Sequence, residues 1–155
     1  MIRARWRIVT LGAIACTPLA LFGLFGSASG ATGPAQIRIT DIQVTYRLVH
    51  PANGGVPGSV ETIMQQLYNP SLSPKPIGRG VMTCTFVDPH DRTCVATYVL
   101  PKGTLVVTGA LQSRLFYEMP IVGGTGLYDN ARGTLTVTAT HLRPRHEVLL
   151  FRLVG

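Results

Sequence analysis

The chain has 155 residues, with 14 Lys+Arg against 7 Asp+Glu, 46% apolar residues and 14% charged ones. A charged share so far below the usual figure of about a quarter excludes a disordered tail or a charged nucleic-acid-binding arm. The length allows one domain, and a single long apolar run near the N-terminus excludes a polytopic membrane protein.

The first segment has three parts. Arg3, Arg5 and Arg7 come before any acid, residues 8–26 are almost wholly apolar, and the small residues Ser27, Ala28, Ser29, Gly30 and Ala31 follow. That order predicts a helical secretory signal peptide over 1–31, cut after Ala28 or Ala31, and one exported domain over 32–155. The alternative is an uncleaved anchor, the one route by which this chain would meet a membrane; Pro18, Gly23 and Gly26 weaken it as a spanning helix. Lipidation at Cys16 fits less well, because the apolar run continues past it. Without the leader, eleven basic residues face seven acids, scattered and in no run. No basic stripe or motif for nucleic acid is present.

Residues 36–50 are rich in Ile, Val, Thr and Tyr and predict a long strand. Its apolar positions are Ile37 and Ile39, then Ile42, Val44, Tyr46 and Leu48. This phase switch across Thr40-Asp41 predicts a bulge or sharp bend there. Residues 51–58 and 69–76, with their Pro and Gly, are loops. Between them, Val60 to Leu67 fits a short helical turn or a strand. Residues 81–87 and 93–100 are strands joined by a turn over Asp88–Arg92.

Cys84 and Cys94 flank that turn. An even cysteine count in an exported chain predicts a disulfide, and a hairpin centred near residue 89 sets the two face to face. Closing so short a loop is worth about 3 kcal/mol on the chain-entropy model. Two Cys without His at ligand spacing argue against a metal site. Further strands are expected over 104–109 and 115–122, with Gly123-Gly124-Thr125-Gly126 breaking the second. Residues 133–142 alternate cleanly, Leu135, Val137 and Ala139 against Thr134, Thr136, Thr138 and Thr140. A turn at Arg143-Pro144-Arg145 leads to a last strand over 147–154, apolar on both faces. So many short strands separated by turns argue a sandwich or a barrel, and closure hides the strand edges most simply.

Several segments of the second half resemble landmarks of the dirigent proteins and allene oxide cyclases. They are Pro76-Ile77-Gly78-Arg79-Gly80, Gly109-Ala110, the run Glu118-Met119-Pro120-Ile121-Val122-Gly123-Gly124-Thr125-Gly126, Ala131-Arg132-Gly133 and Phe151-Arg152-Leu153. The most specific part is Val-Gly-Gly-Thr-Gly leading to Ala-Arg-Gly. The resemblance implies an all-β fold, an eight-stranded antiparallel barrel. It also implies a small hydrophobic ligand, lipid or phenolic, whose cyclisation, isomerisation or coupling is steered by orientation without a cofactor. Homodimers or homotrimers formed through apolar outer strands are a further implication.

Asp41 is the first candidate catalytic residue. These families have an acid in the first strand that acts in the pocket, and a carboxyl in an apolar barrel has a raised pKa suited to proton transfer. The plain alternative is a solvent-facing acid at a strand bend. Arg132, in the Ala-Arg-Gly landmark, is implied to face the pocket and anchor a carboxylate or phenolate; otherwise it pins the Gly-rich turn, through Glu118 or Asp129. Tyr46, Phe86, Tyr98 and Tyr117 are candidate ligand-binding residues or plain core. The rivals to an isomerase or cyclase are a non-catalytic, lipocalin-like carrier and a structural interaction barrel on the same scaffold.

Overall fold

The computed structural model describes residues 35–49, 56–69, 73–112, 115–140 and 145–154. The expected leader over 1–31 lies outside them, as do Arg143 and Pro144 of the expected last turn. The strands are β1 (Ala35–Val49), β2 (Val60–Tyr68), β3 (Gly78–Phe86), β4 (Arg92–Leu100), β5 (Gly103–Leu111), β6 (Phe116–Gly126), β7 (Arg132–Ala139) and β8 (His146–Val154). Each pairs antiparallel with its neighbour in sequence, and β8 pairs back onto β1, closing the barrel. The ambiguous run after residue 60 is therefore a strand; its Glu61, Gln65 and Leu67 are buried in period-two alternation.

Alternation sorts the chain between an inner and an outer face. Leu105, Val107, Met119, Leu135, Val137, Leu149 and Phe151 point inward and are fully buried. The Thr residues of β7 lie between its core positions, toward the outside. The waist is filled with side chains; Tyr98 and Phe151 meet there edge to face, 5.2 Å apart. Open space lies toward the two ends.

The β3–β4 hairpin stands as expected. Asp88 Oδ1 accepts the N–H groups of His90 and Asp91, each at 2.7 Å, which holds the tight turn. These two bonds hold the Asp88 carboxyl below its ordinary range. Cys84 and Cys94 are directly opposed in the ladder, both fully buried inside the barrel, and joined by a disulfide.

Two local expectations are corrected. The phase slip of β1 is real, but the ladder to β2 runs unbroken from Thr40 to Gln43 and shifts between Gln43 and Thr45. Asp41 thus stays in phase with Ile39 and faces inward, and the extra residue lies beyond it. The second correction concerns Gly123–Gly126, which continues β6 and pairs with Gly103–Val106 of β5. A Cβ on Gly124 would strike the carbonyls of Tyr128 and Thr104, so only glycine lets the backbones come this close.

Candidate functional site

The candidate site lies inside the barrel, at the end that carries the β3–β4 hairpin. A cavity of about 370 Å³ opens there, lined by Gln43, Tyr46, Glu61, Ile63, Met82, Arg92, Tyr117, Arg145 and Glu147. Five of the eight strands supply the charged and hydrogen-bonding groups in and behind its wall. The resemblance implied a small hydrophobic ligand; this wall is instead of mixed character, with acids and guanidinium groups among the apolar side chains.

Its core is a pair of carboxyl groups. Closure of the barrel puts Asp41 of β1 directly opposite Glu147 of β8. Both lie in the inward phase and both are buried. The Glu147 N–H donates to Asp41 Oδ1 at 3.0 Å. The Glu147 side chain is held from three directions. Arg145 Nε donates to its Oε1 at 2.8 Å, while Gln65 Nε2 and the Tyr117 hydroxyl donate to its Oε2 at 3.2 and 3.4 Å. Glu147 lines the cavity; Asp41 lies behind it, fully enclosed.

This setting raises the Asp41 pKa from 3.8 to about 8. Burial is the main cause, and the adjacent Glu147 charge adds to it. The N–H bond from Glu147 and the charge of Arg145 oppose the rise without cancelling it. Asp41 therefore carries its proton at neutral pH. Its second oxygen, Oδ2, has no hydrogen-bond partner among the described residues, and neither do Gln65 Oε1 and the Tyr98 hydroxyl. Burial, Asp41 and Glu147 push the Tyr98 hydroxyl well above its ordinary pKa, so it too stays protonated. Burial does the same for Tyr117, with Tyr98 and Glu147 contributing.

Gly80 makes room for this cluster. A Cβ there would stand 2.7 Å from Gln65 Oε1 and 3.1 Å from the Tyr98 ring. The missing side chain lets the Tyr98 ring and the Gln65 amide lie against β3.

The sequence candidates divide. Asp41 belongs to the cluster. Tyr46 and Tyr117 line the cavity, Tyr46 at its exposed rim and Tyr117 deep inside. Tyr98 lies at the waist beneath the carboxyl pair. Phe86 is buried beside the cavity with the Arg92 guanidinium 5.9 Å from its ring centroid. Arg132 is not brought to this cavity. It projects from the outer face of β7, where its Nη1 donates to the carbonyls of Val122 (2.7 Å) and Ala131 (2.9 Å). It thus fastens the end of β6 to β7 through backbone carbonyls rather than through Glu118 or Asp129.

Sequence reasoning missed Glu61, Gln65, Arg92, Arg145 and Glu147. A signal was there for Glu147, which keeps the phase of Leu149, Phe151 and Leu153 and so had to point into the core. The same holds for Glu61 and Gln65, in phase with Leu67. Among the described residues, no group of three His, Cys, Asp or Glu side chains is placed to hold a metal ion.

No protein-family model and no curated protein sequence matches the chain. Solved structures do share its fold. A pyocyanin demethylase matches at 20% identity and TM-score 0.62, over 74% of this chain and 98% of its own. A pterocarpan synthase dirigent protein matches at 19% and 0.59, over 79% and 97%. A Diels-Alderase from Streptomyces koyangensis matches at 21% and 0.59, over 83% and 72%. The chain has the fold of the dirigent proteins and of the cyclase barrels, as its glycine landmarks implied.

Proposed function

We propose that this chain is an exported barrel that binds one small molecule at the hairpin end and moves a proton on it, as an isomerase or cyclase does. One observation carries the reading: a carboxyl pair, of which one member keeps its proton at neutral pH, borders a ligand-sized cavity. The other member, Glu147, lines the cavity, where its carboxyl can exchange a proton with a ligand. Glu147 is the member that meets the ligand, so it is the catalytic residue of this reading. Asp41 acts through it as a positioning residue that holds the pair's proton. Glu147 accepts a proton from carbon or oxygen of the ligand and returns it elsewhere on the same molecule, so nothing is consumed. Arg145 and Tyr117 keep its oxygens in place during the exchange. No step of this scheme requires a cofactor. The disulfide favours an oxidising compartment, as export behind the expected leader would supply.

The non-catalytic carrier is the second reading. It is favoured by the opposite end of the barrel, where Ala35, Ile37, Ile39, Ile77, Leu100 and Leu153 help line a cup of about 400 Å³.

Native mass spectrometry of the purified protein, followed by release and identification of any bound molecule, tests for a ligand. Carbon-detected NMR of labelled carboxyl groups tests the proton. One carboxyl titrating near pH 8 in the wild type and missing in Asp41→Asn supports the acid–base reading. All carboxyls titrating in the ordinary acidic range would leave only the carrier.

A further inference from the structure

The two ends of the barrel differ in chemistry. At the end away from the β3–β4 hairpin lies the cup of about 400 Å³. Ile39, Leu100 and Leu153, each buried, are its deepest lining. Ile37, Ile77 and Tyr128, partly buried against the same core, form its wall. The cup shares no lining residue with the polar cavity, and the filled waist around Tyr98 and Phe151 lies between them.

Backbone hydrogen bonds fix the turns that carry this lining. The Leu127 N–H donates to the Lys102 carbonyl at 2.8 Å, which ties the β6–β7 turn to the β4–β5 turn. Gly126 permits this closeness: its φ is +65°, and a Cβ there would press on the same carbonyl. The Ile77 N–H donates to the Leu67 carbonyl at 2.7 Å and holds the wall next to β3. The cup is therefore formed before any ligand arrives, and filling it costs little ordering.

The charge around the cup has one sign. Lys102 lines it from the exposed rim and forms no ion pair among the described residues. No acid lines it. In the described turns at this end the one acid is Asp129, which is exposed and accepts from Asn130 Nδ2 at 3.1 Å. Burial in the cup stabilises an apolar body, while an anionic head at the mouth meets a cation with no carboxylate in the lining to oppose it.

We propose that the cup is a second ligand site, for a molecule with an apolar body of roughly ten carbons and one carboxylate head. The body lies against Ile37, Ile39, Ile77 and Leu153, and the head meets the Lys102 ammonium. The inference supplies a ligand class for the carrier reading and does not rest on proton transfer at the other end.

The test is binding of the fluorescent anion 1-anilinonaphthalene-8-sulfonate to the full-length chain, with decanoate and decanol as competitors. Ile37→Trp and Ile77→Trp fill the cup from two different elements. Lys102→Glu reverses the charge at its rim, and Arg47→Glu makes the same change on an exposed position of β1 toward the hairpin end. Ile63→Trp fills the polar cavity instead. Either cup-filling variant should weaken probe binding at least tenfold, and Ile63→Trp should leave it unchanged. Lys102→Glu should weaken decanoate roughly fivefold relative to decanol, and Arg47→Glu should not. Probe binding that survives both cup-filling variants overturns the site, as does a wild type with no saturable binding or a probe that decanoate does not displace. Binding lost in Ile63→Trp and kept in the cup variants overturns it too, by placing the probe in the polar cavity, and leaves the proton-transfer reading standing. An equal effect of Lys102→Glu on both competitors overturns the carboxylate head. Circular dichroism identifies any variant that fails to fold; either cup-filling variant alone decides the site, and Lys102→Glu alters only an exposed turn.

Discussion

Asp41→Asn should make the protein more stable, and by an amount that depends on pH. In the unfolded chain Asp41 loses its proton near pH 3.8; in the fold it keeps it up to about pH 8. Below pH 3.8 both states hold the proton, and the stability linked to it is fully present. Between the two values the unfolded chain releases a proton that the folded one retains. Folding stability therefore falls as pH rises, by about 1.4 kcal/mol per pH unit, and levels off above the folded pKa. At pH 7 the accumulated loss is on the order of 4 kcal/mol, a large share of the ~5–15 kcal/mol a domain usually has. Asparagine mimics the protonated carboxyl in shape and can still accept the Glu147 N–H, but it does not titrate. The variant should match the wild type to within about 1 kcal/mol at pH 4, where both side chains are neutral. It should then gain steadily and be several kcal/mol more stable at pH 8. Urea denaturation of both proteins across this range measures the difference. A gap between them that stays constant from pH 5 to pH 8, or an asparagine variant less stable at pH 8, would refute the reasoning, because Asp41 would then be ionised in the fold.

Other substitutions separate the remaining roles. Glu147→Gln removes the second cause of the Asp41 shift and leaves the first, burial, in place; carboxyl NMR should show the Asp41 pKa falling but staying above 3.8. Replacing Cys84 and Cys94 together by Ala should lower stability by about 3 kcal/mol in urea without changing the strand signal in circular dichroism. Gly80→Ala drives a methyl against Gln65 Oε1 and the Tyr98 ring. It should disturb the Gln65–Glu147 bond and cost about 1–3 kcal/mol in urea. Arg132→Ala releases the carbonyls of Val122 and Ala131 on the outer wall. Its expected cost is about 1 kcal/mol in urea.

Much of this was legible along the chain because strand chemistry is local. Period-two alternation marks β3, β4 and β7 residue by residue, and the Asp88 turn brings Cys84 to Cys94 across only ten positions. Even the phase slip of β1 could be read, though its place was misjudged: Ile42 carries apolar character on the outer face, so the apparent switch precedes the true ladder shift at Gln43/Thr45. Gly123–Gly126 was misread for a related reason. Composition marks glycines as breakers, while here the neighbouring backbones require them inside a strand.

The sequence by itself determined that the domain is built of short strands with sorted faces, and that Asp41 lies next to an inward run. It could not say what stands across from Asp41. That partner, Glu147, is 106 residues away, and only pairing of the first strand with the last sets the two opposite each other. Tertiary structure also decided depth, burying Asp41 behind Glu147 and turning Arg132 outward onto carbonyls. The physical reason is that alternation fixes which face a side chain takes, whereas its neighbours within that face depend on how the sheet closes. A carboxyl's pKa depends on those neighbours and on its distance from water.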